Sequence, residues 1–78
     1  MTENIFNKIV GKNIKKYRYL YNINKGEMKQ KDLAKMVGVS TSTIGYLESS
    51  KVSQGISLYN LYKISKALGC TMDELIRG

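Results

Sequence analysis

The chain has 78 residues, enough for one domain and too few for two. Thirteen lysines and arginines against six acids leave a net charge of +7, a balance that suits a polyanionic partner. One cysteine and no histidine exclude an internal disulfide and a His/Cys metal cluster, and no apolar run approaches the roughly 20 residues that span a bilayer.

The opening residues, MTENIFNKIVGK, lack the basic-then-apolar order of a signal peptide, so a cytoplasmic location is expected. Thr2 is a suitable N-cap, and a first helix is expected over Glu3 to Tyr21. Phe6, Ile9, Val10, Ile14, Tyr17 and Tyr21 recur on it at three- and four-residue steps. Lys8, Lys12, Lys15 and Lys16 lie on its other faces and read first as solvated charge. Asn22 to Glu27 clusters Asn, Gly and charge without periodicity and reads as a break, after which Met28 should return to the core.

The stretch QKDLAKMVGVSTSTIGYLESSK, from Gln30 to Lys51, reads as two short helices joined at Gly38. Leu33, Ala34 and Val37 form one face of the first, and Gly38 tolerates the left-handed conformation that ends it. Val39 plugs the core, and the Ser40 hydroxyl can cap the next helix. That helix turns Ile44 and Leu47 inward and leaves Thr41, Ser42, Gly45 and Tyr46 outside. A helix, a Gly-containing turn and a second helix form a helix-turn-helix pattern. Beyond the polar connection Ser49 to Gly55, Ser57 caps a helix over Leu58 to Leu68, with Leu58, Leu61, Ile64 and Leu68 as its expected buried stripe. Gly69 ends it. Thr71 and Glu74 have capping-box spacing for a last short helix anchored by Leu75 and Ile76. The expectation is an all-α single domain over residues 1–78, with five helices and no strands.

With these segments in order, the chain resembles the DNA-binding domain of the Cro and phage-repressor (XRE) type. Val10-Gly11, Ile14 and Arg18 match the first helix of that pattern, and Gln30, Leu33-Ala34 and Gly38 the second. Val39-Ser40 and Glu48 match the third, and ISKALGCTMDELI the last two. The resemblance covers about residues 10 to 76, with the motif at about 29 to 48, and implies a lambda-repressor-like fold. Four features depart from the pattern. The loop after the first helix is long, Ser50 replaces a usual Gly, Gln54-Gly55 replaces a common Asn-Pro, and Gly45 lies within the third helix.

The resemblance implies a sequence-specific, double-stranded-DNA-binding transcriptional regulator whose third helix reads the major groove. Carried over residue by residue, Thr41, Ser42 and Tyr46 face base edges. Lys29, Gln30, Ser40, Thr43, Ser49 and Lys51 face the backbone, with Gln30 serving either to bond a phosphate or to brace the reading helix. Arg18 and Glu48 would pair and tie the first helix to the end of the third. Cys70 stands at an apolar position and reads as a small core residue. No catalytic residues, metal or cofactor are expected, so an enzyme is the weakest reading. The rival is a protein-interaction module, an antitoxin or adaptor of the same fold, with Tyr19, Tyr59 and Tyr62 as anchors. A homodimer would use the last helix and the segment before Val10, reading half-sites about 34 Å apart.

Overall fold

The computed structural model describes residues 2–49 and 56–78, and its described residues form five helices and no strands. These are α1 (Glu3–Asn24), α2 (Gln30–Val37), α3 (Thr41–Glu48), α4 (Leu58–Leu68) and α5 (Met72–Ile76). The long α1 lies across α3, α4 and α5, while α2 packs on α3 and α4. The core is filled from every helix: Val10 and Ile14 of α1, Leu33, Ala34 and Val37 of α2, Ile44 of α3, Leu61, Ile64 and Leu68 of α4, and Leu75 of α5. Met28, on the loop before α2, completes it. Of these, Ile14, Leu33, Ile44, Ile64 and Leu75 are fully buried. Replacing one of them by Ala removes both transfer energy and packing, worth about 2–5 kcal/mol.

The caps explain the helix ends. Thr2, Ser40, Ser57 and Thr71 each accept a backbone N–H from three residues on. Lys29 has no acceptor to offer at the start of α2, and Asp32 instead accepts the Lys29 N–H at 2.9 Å. Gly38 (φ 84°) and Gly69 (φ 69°) end α2 and α4 in the left-handed region that side chains disfavour.

Three expectations change. The first helix runs to Asn24 rather than Tyr21. Asn22 stays helical, and its amide donates to Arg18 O and Met28 O while its carbonyl accepts from Met28 N. One side chain thus folds the following loop back and delivers Met28 to the core. Leu58 is not in the buried stripe: it is 74% exposed on the first turn of α4, and Ser65 holds the inward place, donating its hydroxyl to Tyr62 O. Ile76 is exposed as well, so α5 is anchored by the fully buried Leu75, with Met72 partly buried against the core. The docking of α5 is completed from outside the core, by the Asn13 amide donating to Leu75 O and Arg77 O.

Candidate nucleic-acid interface

The site is built on α3, and its orientation is set by what holds the opposite side. Ile44 points into the core, and Glu48 is buried at the helix end. Arg18 of α1 grips Glu48 with two parallel bonds, Nε to Oε2 at 2.7 Å and Nη2 to Oε1 at 2.9 Å. Its remaining nitrogen, Nη1, donates to Met28 O at 3.2 Å. The hydrogen bond to Glu48 raises the Arg18 pKa above its ordinary value even though burial opposes it. The side chains are 9% and 2% exposed, so this is a buried, bidentate pair rather than a surface contact. Seven residues earlier on α1, Gly11 abuts Leu47 O so closely that no Cβ fits between them. Two points on one stripe of α1 therefore hold the end of α3.

A third brace comes from α2. Gln30 Nε2 donates to Glu48 Oε1 at 3.0 Å, and its Oε1 lies 3.3 Å from where a Cβ at Gly45 would stand. Gly45 thus makes room for Gln30 to cross to Glu48. The helix-propensity cost of that glycine, about 1 kcal/mol, is set against this packing. Arg18, Glu48 and Gln30 form one network joining three helices.

The outward side of α3 is polar. Thr41 and Ser42 are exposed, and Tyr46, one turn after Ser42, is 46% exposed. Ser40 and Thr43 are turned toward each other: Ser40 Oγ caps Thr43 N at 3.1 Å, and the two hydroxyls bond at 2.8 Å. Ser49 is half-buried just beyond the helix. Lys29 is exposed at the start of α2, with its ammonium 3.8 Å from Glu27. Lys51, Ser50 and Gln54-Gly55 lie outside the described residues. The structure therefore leaves Thr41, Ser42 and Tyr46 exposed on α3, and it places Gln30 in a bond to Glu48.

Two further residues adjoin this face. Ser57 and Asn60, on the first turn of α4, line one recess with Ser42, Thr43 and Tyr46. The N-cap at Ser57 is visible in the sequence, but the recess that the start of α4 shares with α3 is not, since it depends on how α2 packs on both. Cys70 is half-buried against the core, and burial pushes its thiol pKa up to about 11, so at neutral pH it is a protonated, poorly nucleophilic group. Among the described residues, no group of His, Cys, Asp and Glu could hold a metal, and no helix is long and apolar enough to cross a membrane.

An all-helical domain with a short α2–turn–α3 unit, α3 locked from behind and polar in front, defines the helix-turn-helix class. The helix-turn-helix family profile matches residues 20–75, and the chain belongs to that family, the Cro/C1 (XRE) type of DNA-binding transcription regulators. Among solved structures it is similar to the restriction-modification controller protein C.AhdI from Aeromonas hydrophila. That similarity has a TM-score of 0.71 and 28% identity over 88% of this chain and 94% of the other. It also shares its fold with the hypothetical transcription factor NHTF from Neisseria, with a TM-score of 0.70 and 23% identity over 97% of this chain and 80% of that one. No curated protein sequence matches it.

Proposed function

We propose that the chain is a sequence-specific transcriptional regulator that reads double-stranded DNA by laying α3 in the major groove. The observation that carries this reading is the two-sidedness of α3: α1 (Gly11, Arg18) and α2 (Gln30) grip one side of it at Leu47 and Glu48, while Thr41, Ser42 and Tyr46 stand exposed away from that grip. A rigid presenting frame is what base readout needs, because hydrogen bonds to base edges tolerate little misplacement. Thr41 and Ser42 hydroxyls both donate and accept, so they discriminate bases weakly; the Thr41 methyl and the Tyr46 ring suit thymine methyl groups. Modest direct readout, helped by DNA shape, is the expected result. Lys29, Ser40, Thr43, Ser49 and Lys51 are the proposed backbone contacts, and Gln30 is proposed to serve first as the brace.

The test is selection of bound fragments from random duplex DNA, followed by titration of the recovered site. Thr41→Ala is expected to weaken that site by about 1–3 kcal/mol and to relax preference at one or two positions while leaving the melting temperature unchanged. Recovery of no sequence preference, or a Thr41→Ala variant that binds as tightly and as selectively as the parent, would defeat the reading.

A further inference from the structure

The long α1 carries two stripes. One, through Gly11, Ile14 and Arg18, builds the core and holds α3. The other descends the far side as Ile5, Ile9, Lys12, Lys16, Tyr19 and Ile23, spaced alternately four and three residues apart, which is the spacing of one seam of a two-helix coil. At 3.6 residues per turn, Lys16 points about 140° around the helix from Gly11, away from the side that grips α3. The ends of this seam are apolar and open: Ile5 and Tyr19 are each 50% exposed and Ile23 is 78% exposed. Its middle is cationic, with Lys12 and Lys16 on the seam and Lys8 and Lys15 beside it.

Among the described residues, no side-chain carboxylate forms an ion pair with these lysines. All six acids lie among the described residues, and their ion pairs join Glu48 to Arg18, Glu27 to Lys29 and Asp73 to Arg77. Glu74, Arg77 and Gly78 border the seam on one side, in a recess with Ile9, Lys12 and Lys16; Glu74 itself accepts from Thr71 N and the Tyr17 hydroxyl. Lys15 and Lys16 rest over the rings of Tyr19 and Tyr17.

We propose that this outer seam of α1 docks an acidic amphipathic helix of a partner protein. Apolar side chains near both ends of that helix cover Ile5 and Ile9 at one end and Tyr19 and Ile23 at the other, and carboxylates between them meet Lys12 and Lys16. A second copy of the chain fits poorly, because self-pairing of the seam sets lysine against lysine. A nucleic acid would satisfy the lysines but leaves Ile5, Tyr19 and Ile23 with nothing to cover them. The pattern of apolar ends around a cationic centre fits a helix of opposite charge pattern, with the seam spacing fixing its register. This inference does not depend on the reading of α3.

The experiment uses the full chain, labelled for amide NMR, and two synthetic helical peptides about three heptads long. One carries Leu at the outer seam positions and Glu at the two central ones; the other has Lys in place of Glu. The acidic peptide is expected to shift amides on the outer face of residues 5–23 and to bind less tightly as salt rises. The double variant Lys12→Glu, Lys16→Glu is expected to lose about tenfold or more in affinity for it and to gain the lysine peptide in exchange. Its melting temperature and its binding to duplex DNA should be unchanged. Four results would overturn the proposal: no binding of the acidic peptide, equal binding of both peptides, shifts of the same amides by non-specific duplex DNA but not by peptide, or a dimer of the chain that buries this face.

Discussion

Gly11 shows how much can rest on one absent atom. An alanine there would drive its Cβ into Leu47 O, a backbone atom that cannot rotate away, so α3 must move as a body or α1 must tilt. Overpacking of this kind costs about 1–3 kcal/mol. Gly11→Ala is therefore expected to lower stability by that amount in a denaturant titration and also to weaken DNA binding, although Gly11 lies on the side of α3 opposite Thr41 and Ser42. Unchanged stability would mean that the α1–α3 contact is looser than its geometry. Gly45 differs, since its neighbour is the movable end of the Gln30 side chain. The family pattern marked Gly11 in the sequence, but what it touches depends on residues 36 places away.

At the scale of the element, the end of α3 and the start of α5 are each fixed by one carboxylate, in opposite ways. Glu48 is buried and bonded to both Arg18 and Gln30. Removing it strands the guanidinium in the interior, at a cost of roughly 3–5 kcal/mol. Glu48→Ala should thus destabilise the fold far more than Glu3→Ala, which alters only an exposed first turn; equal melting temperatures would remove the network from the account. Glu74 sits outside, capping α5. Its bond from Thr71 N, helped by the Tyr17 hydroxyl, holds its pKa below the usual carboxylate range. A pKa depressed in the folded state gives stability that is present above the unfolded value and is lost as pH falls through the folded one. Glu74→Gln should melt lower than the parent at pH 7, with the gap closing below about pH 4. A gap that stays constant from pH 7 to pH 3 would show that the charge of Glu74 contributes nothing.

Over the whole molecule, the charge of +7 divides between faces. Lys29 stands at the start of α2 beside the network, while Lys8, Lys12, Lys15 and Lys16 lie on the outer side of α1. If only the first group and Lys51 meet phosphates, log K for DNA should fall with log salt by a few units, not by the number of lysines in the chain. Lys51→Ala should reduce that slope by about one, and Lys12→Ala should leave it unchanged; a slope altered equally by both would mean that α1 also faces DNA.

Periodicity, caps and glycines were local signals, and they sufficed for the five helices, their approximate ends and most of the core, because each depends on residues within a turn or two. The outward residues Thr41, Ser42 and Tyr46 were legible for the same reason: once Ile44 and Leu47 point in, helical geometry leaves those three out. What the sequence could not decide were matters of approach. Leu58 has the spacing of a buried residue, yet it stays 74% exposed, and Ser65 goes inward instead. The end of α1 moved because Asn22 found partners at Met28 across the loop. Gln30 had two open roles until α3 came within reach of its amide. Local chemistry chose the elements; only their packing decided which polar groups meet, because such meetings depend on distances that no sequence interval encodes.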